Sequence, residues 1–216
     1  QRIATVNEFI SEFETIIAPS IVKASSRSAL IAMHDHVATT NYFSNKTAFN
    51  QSFIELLFNG SYEAVSIPNQ SLKNLTTNYV SKINQVYNID LQADFNASNV
   101  IIQQDSPFSY MVQISYNLSV QSIDATWSLD NQIIRVQDIA LTNIPDPFIN
   151  KTYSTKRSFH FIEPVQWNVT TLNRTIQQKY YRHNDDAPSF FQRFYNNLSP
   201  SVLGVETYQN ASESWS

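Results

Sequence analysis

The chain has no cysteine. Disulfides, thiolate nucleophiles and thiolate metal ligands are therefore closed to it. Glycine is nearly missing as well: Gly60 and Gly204 are the only two in 216 residues. Two isolated glycines rule out phosphate loops of the Gly-x-x-x-x-Gly-Lys and Gly-x-Gly-x-x-Gly kinds. No Gly-x-Ser-x-Gly elbow exists either. Tight turns must then rely on Asn, Asp and Pro, because Asn and Asp tolerate positive φ when glycine is scarce. Charge is also sparse, at 15% of residues against a usual ~25%. Amide, hydroxyl or sugar groups must keep the surface wet instead. The net charge is −4, and Lys and Arg are dispersed, so no basic stripe points to nucleic acid. No unbroken apolar run of about 18 residues marks a membrane span. No secretory n-region and h-region open the sequence, so any export signal is expected to be removed or to lie outside it.

Asparagine fills the gap. The segment NVTTLNRT, residues 168–175, holds two Asn-x-Ser/Thr triplets, the acceptor pattern for N-glycosylation. Twelve asparagines begin such a triplet: Asn45, Asn50, Asn59, Asn69, Asn74, Asn96, Asn117, Asn150, Asn168, Asn173, Asn197 and Asn210. With 22 Asn, 26 Ser and 15 Thr in the chain, random order would give about four. The threefold surplus points to an exported chain coated in sugar, and a glycan demands a surface position. Many acceptors without cysteine fit an animal secretory protein poorly and an archaeal surface protein better. Abundant Asn, Ile, Tyr and Phe beside scarce glycine point to an AT-rich genome.

Periodicity predicts helices first. Ile3, Val6, Phe9, Ile10, Phe13, Ile16 and Ile17 form one apolar stripe, and Pro19 is expected to kink or break that helix near Ala18. Helical pattern resumes from about Ile21 to Val37, then at KTAFNQSFIELLF and at QSLKNLTTNYVSKINQVY. From Asn88 the character changes to alternating runs separated by short turn signals, which predict an antiparallel meander. In strand SYMVQISYNLSV, alternation puts Met111, Gln113, Ser115, Asn117 and Ser119 on the outward face and Val112, Ile114, Tyr116, Leu118 and Val120 inward. VTTLNRTIQQKYY and PSFFQRFYNNL read as short helices. The expected fold is α+β: a long N-terminal helical region packed on an antiparallel β-meander, with short C-terminal helices. It is expected as one domain over 1–216. Residues 1–87 are mainly helical, 88–165 mainly strands, 166–200 short helices and 201–216 a tail, of which the last residues, NASESWS, read as frayed.

Catalytic constellations are hard to find. His34 and His36 in HDH resemble a metal pair. On a helix, however, residues two apart point about 200° away from each other, so they are expected as partly exposed helix histidines. RHNDD at 182–186 gathers oxygen ligands suited to calcium, but Asp185 or Asp186 reads better as a helix cap. His160 alternates with aromatics, as a packed strand residue would. Asp105, Asp130 and Glu163 offer carboxylates without a spacing that selects a pair. Tyr180, Tyr181 and Arg182 are the best candidate for a sugar-stacking surface, set against ordinary core packing of aromatic rings. No metal and no cofactor are expected beyond covalent N-glycans.

Several stretches together resemble an uncharacterised family of archaeal surface proteins. They are RIATVNEFISEFE, SRSALIAMHDHVAT, FIELLFNGSYEAVSI, INQVYNIDLQADFNASNVIIQQDSPFSYMVQIS, IPDPFI and DDAPSFFQRFYNNLSPSVLGVE. The most specific are the Gln-Asp-Ser-Pro-aromatic step at Gln104 to Phe108 and the Ala-Pro-Ser-Phe run at Ala187 to Phe190. The resemblance implies an ectodomain that follows a type IV pilin-like hydrophobic anchor. That anchor is missing here, and Gln1 falls where it would end. The family supplies location and topology but no activity. The expectation is a non-catalytic surface glycoprotein that self-assembles, as a pilin-like filament or a surface-layer subunit. The helical stripe and strand edges would make the contacts. The alternatives are a membrane-anchored binding or adhesion ectodomain and, third, an envelope hydrolase. Expected partners are further copies of the chain, or other cell-surface proteins or glycans. Nucleic acid is not expected, and a membrane only through an anchor that this chain does not contain.

Overall fold

The computed structural model describes residues 2–87, 89–122, 125–148, 160–161 and 181–207. In chain order it contains α1 (Arg2–Glu12), a π-helical segment (Phe13–Ile17), α2 (Ala18–Thr39), α3 (Lys46–Asn59) and a small hairpin of β1 (Ser61–Tyr62) and β2 (Val65–Ser66). After α4 (Leu72–Tyr87) come the long strands β3 (Asp90–Ser106), β4 (Ser109–Gln121) and β5 (Thr126–Ala140). The short strands β6 (Ile144–Pro145), β7 (His160–Phe161) and β8 (Tyr181–His183), a 3-10 turn (Phe191–Tyr195) and β9 (Val205–Thr207) complete it. The fold is α+β. The main sheet has the order β3-β4-β5. Links of two and four residues between those strands permit only antiparallel pairing, since parallel strands need a long crossover.

Pro19 does not break the first helix. Val6–Thr39 runs as one helix of 34 residues, long and apolar enough by length and composition to cross a membrane. Half of its apolar window is nevertheless buried inside the protein, as in a core helix. The turn before the proline widens to π geometry, with Ala18 N–H donating to Phe13 O. A proline ring clashes with the carbonyl four residues back, and a π turn gives it room. The extra residue also rotates the stripe. Phe13 is buried while Ile16, expected on the same face, is exposed.

The described residues gather into two compact units. The first comprises the described parts of Gln1–Ala29, Phe53–Ile102 and Met111–Val136. Phe13 packs on Tyr79 and Tyr116 with ring centroids 6.0 and 6.1 Å apart, and Phe95 meets Tyr116 at 5.6 Å. The inward residues of β4, from Val112 to Val120, are all buried, as alternation predicts. Its other face is less open than expected. Met111 and Ser115 are buried, and Asn99 donates to Ser115 Oγ from β3.

The second unit comprises the described parts of Leu30–Ser52, Gln103–Tyr110 and Gln137–Ser216. Its interior is an aromatic cluster: Phe49 lies 5.2 Å from Phe191 and 5.3 Å from Phe194, and Tyr110 lies 5.7 Å from Phe191. The C-terminal part departs from the expected short helices. Residues 181–183 form a strand, and the segment around Phe191 makes only a 3-10 turn. Residues 205–207, expected in the tail, pair antiparallel with 181–183. Buried polar anchors at both ends fix this arrangement, and helical periodicity carries no trace of them. Most of VTTLNRTIQQKYY, with the helix expected there, lies outside the described residues.

Turn chemistry follows from the glycine shortage. Among the described residues, five of the six non-glycine residues at positive φ are Asn or Asp: Asn69, Asn131, Asp138, Asn143 and Asn196, with Glu63 the sixth. Gly60 itself needs left-handed backbone, at φ +76. Gly204 needs space, since a Cβ there would run into the carbonyl oxygens of Ala187 and Asn184.

Candidate functional site

Eight of the twelve acceptor asparagines fall among the described residues. Asn45, Asn59, Asn69, Asn74, Asn96 and Asn117 are exposed, and Asn50 and Asn197 are half-buried. Asn150, Asn168, Asn173 and Asn210 lie outside the described residues. Four of the eight hold their side chains in a set orientation. Asn45 Oδ1 accepts from Ala48 N at 2.9 Å and caps α3. Asn96 Oδ1 accepts from Ser98 N at 2.9 Å, and Asn197 Oδ1 from Ser199 N at 3.0 Å. Asn117 Oδ1 accepts from Asn131 N at 2.8 Å. A backbone N–H can bind only the oxygen end of the amide, so Nδ2, the atom that takes the sugar, remains at the far end. Asn50 differs, because its Oδ1 is buried without a hydrogen-bond partner.

The hydroxyl two residues on divides the acceptors further. Thr47, Ser61, Ser98 and Ser199 are exposed and Ser119 is half-buried, so the triplets at Asn45, Asn59, Asn96, Asn117 and Asn197 are open in the folded chain. Ser52, Ser71 and Thr76, which complete the triplets at Asn50, Asn69 and Asn74, are buried. Ser52 Oγ donates to Ala48 O, and Ser71 Oγ accepts from Asn74 N at the start of α4. Glycine scarcity and triplet counting cannot see this division. It depends on where the fold puts each hydroxyl: Ser52 and Thr76 are buried on α3 and α4, and Ser71 just before α4.

Other predicted residues move inward. Tyr181 is buried and its hydroxyl donates to Asp146 Oδ2 at 2.6 Å, so it forms no sugar platform. Tyr180 lies outside the described residues. Arg182 is bound to Glu206, which also accepts from Asn184 Nδ2 at 2.7 Å. The RHNDD segment is a self-bound turn: His183 pairs with Asp185 at 2.8 Å and Asn184 Oδ1 accepts from Asp186 N. Neither Asp185 nor Asp186 caps a long helix. His34 and His36 sit on α2 and are buried rather than partly exposed. His36 stacks on Phe43 with centroids 5.1 Å apart, and that ring closes over it. Among the described residues no group of three or more His, Cys, Asp or Glu converges on a metal-sized site. Asp105 serves the hairpin, accepting from Ser109 Oγ at 2.5 Å and from Asp138 N at 3.1 Å. Asp130 accepts from Ser128 Oγ. Glu163 and the His160 side chain lie outside the described residues.

Three of the segments singled out in the sequence converge inside the second unit. Gln104 Oε1 accepts from Phe191 N, and its Nε2 donates to the carbonyls of Ser106, Pro107 and Leu203. That links the Gln-Asp-Ser-Pro step to the Ala-Pro-Ser-Phe run. Asp146, from IPDPFI, forms an ion pair with Arg193, and both are fully buried. Arg193 also donates to Val205 O and lies over the Tyr181 ring, 5.7 Å from its centroid. Burial raises the Tyr181 hydroxyl pKa well above the usual phenol value, with Asp146 adding to the shift and Arg193 opposing it. The cluster is sealed from solvent and ties distant segments of this unit together.

No protein-family model, no curated protein and no solved structure matches this chain.

Proposed function

We propose that this chain is a heavily N-glycosylated archaeal cell-surface protein that assembles with copies of itself, as a pilin-like filament or a surface-layer subunit, and performs no catalysis. The observation that carries the reading is the surplus of acceptor triplets, twelve where random order gives about four. The exposed or half-buried position of all eight described acceptors meets the condition that a glycan sets. Exposure alone would not carry it. Asparagine favours surfaces in general, and the nine other described asparagines are also exposed or half-buried. The archaeal source and the pilin-like arrangement rest on the family resemblance.

The fold alters how assembly contacts would form. Val6 and Phe13 of the N-terminal stripe are turned into the first unit's own core, so those two are not free for a neighbour, while Ile16 is exposed. The outer strands β3 and β5 carry edge-blocking features. β5 is interrupted by positive φ at Asn131 and Asp138, and β3 bears the acceptor Asn96. Bulged or sugar-bearing edges resist strand addition. Contacts between copies would then come from patches without sugar.

The test is the intact mass of protein isolated from its own cells, against 24.8 kDa for the bare chain. A heterogeneous mass several kilodaltons higher is expected, together with ordered polymers in native surface material. Sugar at fewer than three of the twelve acceptors would overturn the glycoprotein reading. Glycosylated monomers or dimers would favour the anchored adhesion ectodomain instead.

A further inference from the structure

A groove of about 260 Å³ opens in the first unit between the end of α3, the first turns of α4 and the start of β3. The rings of Phe58 and Phe95 line it half-buried, Lys73, Thr77 and Asp94 are exposed along it, and the acceptor Asn59 is part of its wall. We propose that the groove seats the glycan carried by Asn59. The sugar leaves the Asn59 amide, lies back across Phe58 and Phe95, and presents its hydroxyls to Lys73, Thr77 and Asp94. This inference rests on the glycoprotein reading and goes beyond it by giving one glycan a fixed place in the fold.

The attachment point is built for this. Asn59 is the last residue of α3 and is exposed. Gly60 reverses the chain at φ +76, with its N–H on Leu56 O and its carbonyl accepting from Ile67 N. A Cβ at position 60 would come within 2.9 Å of Ser71 Cβ, so the turn is fitted closely to the start of α4. Ser61, the hydroxyl of the triplet, is exposed and paired with Ser66 across the small hairpin. The asparagine and the hydroxyl of the triplet are therefore open, on a backbone that Gly60 holds in place. A sugar tethered there meets the groove at high effective concentration, and a rigid tether leaves little further freedom to lose.

The chemistry of the walls matches a sugar better than an apolar ligand. A pyranose has a C–H face that lies against aromatic rings and a polar edge that needs hydrogen bonds. The groove's lining combines two rings, with Leu72 and Ala93, and an ammonium, hydroxyls and a carboxylate. Hydrogen bonds to the charged members are stronger than neutral ones. The volume falls below the ~300 Å³ at which pockets begin to take drug-sized ligands. It suits the first rings of a glycan and not a free polymer. Asn96 supplies a control. It follows Phe95 in β3 but is not part of the groove's lining.

The experiment compares the native glycosylated protein with Asn59→Gln, Ser61→Ala and Asn96→Gln variants produced in the same cells. Glycopeptide mapping reads occupancy. Amide hydrogen exchange is followed in peptides covering 72–77 and 91–97. Severalfold faster exchange is expected in both peptides for Asn59→Gln and Ser61→Ala, and no change in 72–77 for Asn96→Gln. Ser61→Ala keeps the asparagine and removes only the sugar, so it stands if the Asn59 variant fails to fold. Sugar on Asn59 with unchanged exchange in the variants would overturn the inference and leave the glycoprotein reading intact. A bare Asn59 beside other occupied acceptors would do the same. Sugar at no acceptor would overturn both.

Discussion

Among the described residues both units bury hydroxyls, and the second also buries charged side chains. The first encloses hydroxyls: Ser25 Oγ and Thr76 Oγ1 are buried without a hydrogen-bond partner, and Tyr116 donates to Glu14 at 3.1 Å. The second encloses charge. Asp146, Arg193 and Glu206 are buried there, with Gln104 beside them, and each has named partners. A chain with so little charge thus places three charged side chains in one interior. The first unit rests on a repeating pattern, apolar stripe against alternating strand. The second rests on a few specific pairs between segments far apart in sequence. Patterns tolerate single changes, whereas a buried pair does not tolerate the loss of one member.

That contrast is breakable. Asp146→Ala should have the largest effect, because it leaves the Arg193 guanidinium buried and unpaired. A loss of about 3–5 kcal/mol is expected, measured by urea titration. The double variant Asp146→Leu with Arg193→Met should recover most of it, since an apolar pair of similar volume replaces the charges. A double variant as weak as the single one would contradict the view that the unpaired charge is what destabilises. Gln104→Leu comes next. It strands Phe191 N–H and three carbonyls in a buried place, at about 1–3 kcal/mol by the same titration. A Gln104→Leu protein as stable as the parent would show that the two motif segments hold together without that clamp.

Tyr116→Phe in the first unit should be the mildest, about 0.5–1.5 kcal/mol for one hydrogen bond. It also sharpens the comparison through pH. Burial first, then the Glu14 carboxylate, raises the Tyr116 hydroxyl pKa. The unfolded phenol therefore loses its proton first, near pH ~10. The stability held in the neutral phenol is complete below that pH and is lost as pH climbs toward the higher folded value. Tyr181 acts in the same direction in the second unit. Unfolding scans from pH 8 to 11 should show stability falling above about pH 10, with a shallower fall in Tyr116→Phe. An identical slope in the variant would remove Tyr116 from the alkaline transition.

Legibility followed the same line. Helices α2, α3 and α4 and the β3-β4-β5 meander were readable because period 3.6 and period 2 are local signals. So was the reliance on Asn and Asp for positive φ. The π segment before Pro19 was not readable. Proline announces a disturbance, but the surrounding core decides whether the helix breaks or widens. Tyr181 was read either as a surface candidate or as ordinary core packing, and it is core, but the strand it sits in was taken for a helix. The residues that explain both, Asp146, Arg193 and the 205–207 strand, lie up to 35 positions away from it. Thr76 was legible as part of a triplet and illegible as a buried hydroxyl.

The sequence by itself determined the α+β class, the absence of thiol and phosphate-loop chemistry, the turn residues and the positions of twelve acceptor triplets, because each follows from residue type and short-range spacing. Only the tertiary structure decided which acceptors keep an open hydroxyl, that Asn59 stands at a groove, and that Asp146, Arg193 and Tyr181 meet in one sealed cluster. Those are relations between segments that only folding brings together, and spacing along a chain does not encode distance across it.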